Sequence, residues 1–269
     1  DAARDYAQHI PVRVIAHMLG VPAADEEMFT NWAVRILQEG FNDLQKSLDA
    51  IIETLEYFGA RVDERAALPA DQRPDDLITL LVETEIDGEP LDRRHRLGTC
   101  FLLLLAGIDT TWSAIGSSLW HLATHPEDQA RLRAEPDLID SAVEELLRVY
   151  SPVTMAREVI ADVDVAGCPM KPGDKVLMSF PAANRDPAQF ENPDEFIIDR
   201  ERNRHVAFGS GIHRCLGSNL ARMELRVAIE EWLTRIPTFE LADPAAVTWT
   251  GGQVRGPRTI PVRWSATRP

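Results

Sequence analysis

The sequence predicts an α+β fold that is mainly α-helical, and its 269 residues allow one large or two small domains. Apolar residues recur at helical spacing through residues 1–150, and the stretch from Asp92 to Thr124 runs for 33 residues without a proline. From residue 151 the pattern changes to short β-like segments with Pro and Gly turns, then one more helix and a turn-rich tail. We therefore expect a helical part over 1–150 and a part with small β pieces over 151–269.

The first helix is predicted from Val12, Ile15, Ala16 and Leu19, and it ends at Gly20-Val21-Pro22. Further helices are predicted over Asp25–Leu37, Phe41–Ala67, Asp76–Glu85, Asp92–Thr124 and Asp137–Tyr150, with another beginning at His125-Pro126. If the stretch from Asp92 is helical throughout, it is about 50 Å long. Later elements are predicted as strands Glu158–Ala166 and Lys175–Phe180 around Pro172-Gly173, an irregular Ala182–Arg204, a helix Leu216–Arg235 and short strands within Phe239–Trp264.

Charge and cysteine content exclude several classes of protein. With 28 Lys+Arg against 43 Asp+Glu, the net charge of −15 argues against binding to nucleic acid or to an anionic membrane. Leu97–Ile108 is an uncharged, mostly apolar stretch of 12 residues, and because a membrane span needs about 20 it predicts a buried core helix. Three cysteines and no basic-plus-apolar leader predict a reducing, cytoplasmic location.

The most specific pattern is Phe-x-x-Gly-x-His-x-Cys-x-Gly, from Phe208 to Gly217. It delivers Cys215 to the start of a helix, where backbone amides and the helix dipole favour the thiolate. Two other interpretations of the cysteine alone are a buried residue beside a glycine turn, or a nucleophile that would need an activating base. The full spacing is far more specific than a lone cysteine.

A second pattern, from Ala106 to Thr111, interrupts the apolar face of the long helix with Asp109 and Thr110. The Thr110 hydroxyl can bond the Ala106 carbonyl, and a gap beside Gly107 could hold a small ligand. The alternative is a polar notch whose groups are satisfied internally.

A third pattern, Glu145-x-x-Arg148, places an acid and a base on one helix face, where a plain surface ion pair is the alternative. Arg157, nine residues after Arg148, precedes a predicted strand and alone would be taken as solvated.

These patterns, in this order, resemble the haem-thiolate monooxygenases, the cytochromes P-450, and the resemblance covers nearly the whole chain. It implies the fold of that family as a single domain over residues 1–269, with haem b as cofactor and Cys215 as the axial ligand of its iron. His213 and Arg157 would bind haem propionates, and Phe208 would pack near the sulfur. Further haem contacts are implied for Ala106, Gly107 and Gly217.

The same resemblance implies roles for the other two patterns. Asp109 and Thr110 are similar to the acid–alcohol pair that delivers protons to bound dioxygen. Glu145 and Arg148, with Arg200 as third member, would hold the core behind the Cys loop. A substrate pocket would be lined by Leu102, Leu103, Ile108, Val153, Met155 and Val254, the last in a segment that resembles the C-terminal hairpin capping that pocket.

The activity implied is insertion of one oxygen atom from O2 into an apolar organic substrate. The electrons would come from NAD(P)H through a reductase and a ferredoxin or flavodoxin. The reductase could be fused to the chain in the native gene. Six arginines against two glutamates over residues 200–226 give a local charge of +4, a docking surface for an acidic partner. Alternatives are a peroxide-driven peroxygenase, a haem-binding sensor or non-catalytic protein, an inactive fragment, and a helical scaffold without cofactor. Family members are longer, so an N-terminally truncated chain is expected.

Overall fold

The computed structural model describes residues 1–40 and 42–265. Within them the helices are α1 His9–Leu19, α2 Glu26–Val34, α3 Leu44–Ala67, α4 Leu77–Glu83, α5 Arg93–Thr124, α6 Pro126–Ala134, α7 Ile139–Val149, α8 Phe180–Ala183 and α9 Ser218–Arg235. The strands are β1 Glu85–Ile86, β2 Glu89–Pro90, β3 Met155–Glu158, β4 Val163–Val165, β5 Cys168–Met170, β6 Lys175–Met178, β7 Phe239–Leu241, β8 Thr248–Thr250, β9 Gly256–Thr259 and β10 Val262–Trp264. The mainly helical α+β class predicted from the sequence is confirmed.

Helix α5 organises the molecule, because both hydrophobic clusters of the core form on it. Its N-terminal half, with Cys100, Leu104 and Ile108, packs among α1 to α4. Its C-terminal half, from Trp112 to Ala123, packs among α7, α9 and β7. The helix has 32 residues and so is about 48 Å long. Side chains from the two halves of this one helix therefore pack in different hydrophobic clusters.

The ends of the helices follow their capping residues. The side chain of Asp92 accepts a hydrogen bond from the backbone N–H of His95 at 2.8 Å and starts α5. Gly20 ends α1 in the left-handed conformation, with φ of +67°. Helix α2 stops earlier than predicted because Arg35–Glu39 winds into a π-helical turn.

All five sheets in the described residues are two-stranded and antiparallel. The predicted strand over Glu158–Ala166 is wrong: β3 already ends at Glu158, and the later residues form the separate hairpin of β4 and β5. Ala166 and Gly167 both have positive φ, 52° and 84°, the conformation of a tight hairpin turn. Strand β3 pairs instead with β6.

Helix α5 is long and apolar enough to cross a membrane by length and composition, but 56% of its most apolar window is buried inside the protein. Core helices of globular proteins share both properties. The core helix predicted from the uncharged stretch is therefore what the structure contains.

Candidate functional site

The loop before α9 presents Cys215 at the surface. The Cys215 N–H donates to the Phe208 carbonyl at 2.9 Å, which closes the loop into a compact turn. Gly209 and Gly211 adopt φ of +69° and +68°, a backbone conformation that would be strained for a residue with a side chain. Residues 210–217 are all exposed, and Gly217 caps α9 two residues after the cysteine. The loop therefore holds an accessible thiol close to the positive end of an 18-residue helix.

The alcohol pattern of α5 lies on an open helix face. Thr110 donates its hydroxyl to the Ala106 carbonyl at 2.6 Å, as expected from the sequence, and the helix continues through this point. Ala106 and Leu102 are exposed on the same face, one and two turns earlier. Gly107 does not belong to this face, since a methyl group there would lie 2.4 Å from Cδ1 of Ile15. The gap predicted beside Gly107 is thus filled by helix α1, and this glycine serves helix packing.

The acid of the pattern is buried and paired. Asp109 Oδ1 accepts from the Arg258 guanidinium at 2.6 Å and from the Gln38 amide at 3.1 Å, while Oδ2 is buried without a hydrogen-bond partner among the described residues. Burial raises the pKa of Asp109, and the Arg258 charge opposes that rise. The carboxyl therefore points into a buried network, whereas the neighbouring Thr110 faces the open side.

Glu145 is the centre of a fully buried polar core. Arg148 binds its two carboxylate oxygens through Nε and Nη2, both at 2.8 Å. Arg200 donates from Nε at 3.0 Å, and the Ile197 N–H and Asn203 amide also donate to it. Burial alone would raise the pKa of Glu145, but these donors lower it below its ordinary value. The three residues predicted as a structural set are thus in direct contact.

Sequence reasoning missed two residues that connect this core to the Cys loop. Asn184 donates to Ser151, accepts from the Val206 N–H at 2.7 Å through its side chain, and receives an Arg148 donor at its carbonyl. Glu144 accepts from Arg222 of α9 and from His205. Burial alone would raise the pKa of Glu144, but these donors lower it to about 2. The sequence feature that could have indicated Glu144 is the pair of adjacent glutamates on α7, because neighbouring residues on a helix face different partners.

Comparison with known proteins agrees with this arrangement. The family model for cytochrome P-450 matches residues 14–244. The chain belongs to the cytochrome P-450 family. The mycinamicin IV hydroxylase/epoxidase of Micromonospora griseorubida is 37% identical over 98% of this chain and 67% of the relative, and the steroid C26-monooxygenase of Mycolicibacterium smegmatis is 35% identical over 100% and 68%.

Solved cytochrome P-450 structures superpose closely on the chain. The enzyme PksS of the Bacillus subtilis bacillaene polyketide synthase has a TM-score of 0.90 at 36% identity, over 97% of this chain and 68% of its own. The LnmA hydroxylase of Streptomyces atroolivaceus has a TM-score of 0.88 at 39% identity, over 98% and 68%. The chain thus spans about two thirds of the length of these relatives. The family, the fold and the oxidoreductase class predicted from the sequence are confirmed.

The residues around Cys215 fit the haem that the P-450 family implies. Ile212 and Leu216 flank the thiol and are 97% and 93% exposed, and Leu102 on α5 is 63% exposed. Large apolar side chains left this open suit a broad, flat, apolar group. His213 is exposed and Arg157 is half-buried, and neither forms an ion pair with an acid in the part of the chain described. Two free basic groups suit carboxylate substituents on such a group.

Cys215 is the residue that would hold haem, as a thiolate ligand of its iron. Among the described residues, no group of three or more His, Cys, Asp and Glu could hold a bare metal ion. Phe208 packs beside this loop, with the Arg222 guanidinium carbon 4.6 Å from its ring centre.

Of the six predicted pocket residues, two meet directly and a third contacts the neighbour of one of them. Val153 and Val254 form an isolated antiparallel bridge, and the Gln253 amide contacts the Met155 sulfur at 3.8 Å. Ile108 is fully buried in the helical core and presents no exposed surface. The half-buried Leu103 packs against the same core, which leaves Leu102 as the exposed member on α5.

The arginine-rich segment is less basic than its composition predicts. Arg200 pairs with Glu145, Arg222 with Glu144, and Arg226 with Asp140 at 3.4 Å. Arg202, Arg204 and Arg214 are exposed, and none of them forms an ion pair within the described residues. The surface charge near the Cys loop is therefore carried by three of the six arginines.

Proposed function

We propose that this chain binds haem b through the Cys215 thiolate and acts as a monooxygenase on an apolar organic substrate. The observation that carries the proposal is a thiol held open at the surface between exposed apolar side chains, on a loop anchored from behind by a buried ion-pair network. When bound, haem supplies the iron centre at which dioxygen is reduced and activated. In balance, substrate, O2, two electrons and two protons give the hydroxylated product and water.

Two basic residues would fix the cofactor. We assign His213 and Arg157 to its propionates, because both are free of acidic partners in the part of the chain described. Leu102, Ala106 and Gly217 would cover its faces, with Phe208 beside the sulfur. Charge-assisted hydrogen bonds and apolar cover together would orient the group.

Proton delivery is assigned to Asp109 and Thr110. The Thr110 hydroxyl faces the open side of α5 and already donates to a main-chain carbonyl, so its oxygen lone pairs remain free to accept a hydrogen bond. The Asp109 carboxyl lies one residue away and exchanges protons through its unpartnered Oδ2. An acid and an alcohol so placed can pass protons from the interior to the open face.

Substrate and electrons would arrive on different sides. Val153, Met155 and Val254 come together near β3 and suit an apolar substrate. The exposed Arg202, Arg204 and Arg214 suit an acidic ferredoxin or flavodoxin that is reduced by an NAD(P)H-dependent reductase. Such a system operates in the cytoplasm.

The thiolate assignment is tested with the haem-reconstituted 269-residue chain. Reduction under carbon monoxide should give the strongly red-shifted Soret band of a thiolate-ligated haem, and Cys215→His should abolish it. The matched control is Cys168→His, since Cys168 is the other exposed cysteine. An unchanged spectrum in Cys215→His would show that this sulfur is not the ligand.

The alcohol is tested by product coupling with a surrogate ferredoxin and reductase. Thr110→Ala should leave electron consumption largely intact and divert it to hydrogen peroxide. Thr99→Ala is the control, because Thr99 makes the same hydroxyl-to-carbonyl bond on α5, to His95 at 2.8 Å. Fully coupled product formation in Thr110→Ala would remove it from the proton path. Turnover with hydrogen peroxide alone, at the rate reached with the partner, would make the chain a peroxygenase.

A further inference from the structure

Strand β9 lies directly on α5, at a distance that only small residues permit. A methyl group at Gly256 would lie 2.4 Å from Cβ of Ser113, and one at Gly116 would lie 3.1 Å from the Pro257 ring. This contact places the residues of β9 within reach of the buried side of α5. Arg258 is the charged residue of the strand, and 8% of it is exposed.

The polar contacts of the Arg258 guanidinium are made to α5 through Nη1 and Nη2, while its Nε is buried without a hydrogen-bond partner among the described residues. It donates to Asp109 Oδ1 at 2.6 Å and to Ser113 at 3.1 Å, and its carbon lies 4.3 Å from the centre of a Trp112 ring. The three partners are one turn or less apart on the same helix. A planar fork can make these contacts at the same time, whereas a point charge such as a lysine ammonium cannot.

The two oxygens of Asp109 are left in different situations. Oδ1 has two donors, Arg258 and Gln38, whereas Oδ2 is buried with no donor among residues 1–40 and 42–265. A buried carboxylate that lacks a counter-charge holds its proton tightly, because the anion is poorly solvated. Such an acid would keep a proton instead of passing it on.

We propose that Arg258 is the positioning residue for proton transfer by Asp109: it anchors Oδ1, keeps the carboxyl ionised between transfers and leaves Oδ2 as the oxygen that takes up and releases the proton. The inference rests on the proposed function and extends it to a residue of the C-terminal strand. In each cycle a proton from solvent adds to Oδ2 and gives the neutral acid. The same O–H bond then breaks toward the Thr110 side and restores the carboxylate.

The test titrates Asp109 in the full chain by infrared spectroscopy, with its carboxyl band assigned by difference against Asp109→Asn. Arg258→Met removes the charge and should make Asp109 bind its proton roughly tenfold more tightly or more. Arg258→Gln is a second neutral variant that keeps hydrogen-bonding capacity, in case the Met variant does not fold. Arg258→Lys keeps the charge and should titrate close to the wild type.

The matched control is Arg263→Met on the neighbouring strand, where Arg263 pairs with Glu240 at the surface. It should leave the Asp109 titration unchanged. If the neutral Arg258 variants also leave it unchanged, or if the lysine variant titrates like them, the proposal is wrong.

A second measurement connects the titration to function. With the surrogate partner, the neutral Arg258 variants should lose coupled product while the reduced carbon-monoxide spectrum stays that of the wild type; retained coupling would overturn the inference. The titration needs no haem, so the two proposals fail separately. A missing thiolate spectrum in the wild type would refute the proposed function, whereas an unmoved Asp109 titration would refute the role of Arg258.

Discussion

Replacing Arg148 by methionine should remove the link that holds the Cys loop to the helical core. All five N–H groups of its guanidinium donate hydrogen bonds. Two bind the Glu145 carboxylate and one binds the Glu195 carbonyl. The other two bind the carbonyls of Asn184 and Pro193, at 2.8 and 2.6 Å. The side chain has no exposed surface. Methionine fills a similar volume but donates nothing, so these acceptors lose their partner together.

The expected loss of stability can be built from these contacts. The carbonyls of Pro193 and Asn184 would be left buried without this donor, at about 1–3 kcal/mol each. Unpairing a buried carboxylate costs about 3–5 kcal/mol, a value lowered here because Arg200 still donates to Glu145. Arg200 also reaches the Glu195 carbonyl at 3.2 Å, so that carbonyl is not counted. The sum is about 5 kcal/mol, comparable with the whole stability of a marginal domain.

The assay is urea unfolding of the full chain, followed by circular dichroism, with hydrogen exchange read over residues 184–208. Arg148→Met should unfold at much lower urea, and the Val206 amide, which donates to Asn184, should exchange faster. Arg235→Met is the matched control, since Arg235 makes only an exposed pair with Glu231 on α9, worth about 0–1 kcal/mol. A loss below about 1 kcal/mol in Arg148→Met would refute the reasoning.

Two further predictions concern α5 and α9. Gly107→Ala should destabilise the fold by about 1–3 kcal/mol, because the new methyl group overlaps Ile15. The new methyl group of Gly98→Ala, on the same helix, has no neighbour within 4 Å among the described residues, so this variant should stabilise the fold by up to about 1 kcal/mol; equal urea midpoints for the two variants would contradict this. Burial raises the pKa of Glu224 from 4.5 to about 7, so the folded state disfavours its ionisation and stability falls as pH rises through that window. Glu224→Gln lacks this fall and should be more stable than the wild type at pH 8 by roughly 2–3 kcal/mol, but not at pH 4; identical pH dependence of unfolding in both proteins would contradict it.

The helices and the loop chemistry could be predicted because they depend on neighbours in sequence. Asp92 caps α5 through an N–H three residues away, and proline is absent from the 32 residues that follow. The Thr110 hydroxyl bonds a carbonyl four residues back, which helical geometry alone supplies. The Cys loop depends on glycine conformation and on the helix start that follows it. Each of these features depends on residues that lie within one or two helical turns of each other in the sequence.

The partners of the helix residues could not be predicted, because these partners belong to elements that are distant in the sequence. Gly107 looks like space for a ligand in sequence, yet Ile15 of another helix occupies that space. Arg222 counts as a free positive charge in composition, yet Glu144 neutralises it across two helices. The partner of Asp109 lies 149 residues later in the chain. Spacing along a helix predicts which residues share a face, but it does not identify the group that the face meets.

This division between local and distant contacts explains how the site can be open and ordered at the same time. Cys215 and its apolar neighbours are exposed, so they make few contacts that could fix them. The loop is held instead by buried contacts on its other side. Glu144 pairs with Arg222 of α9, and Arg148, which binds Glu145, also binds the Asn184 carbonyl. The Asn184 side chain in turn binds the Val206 N–H just before the loop. A site whose order does not depend on its ligand binds without the entropic cost of arranging its own residues. Weakening the buried network should therefore lower haem affinity even though none of its members reaches the thiol.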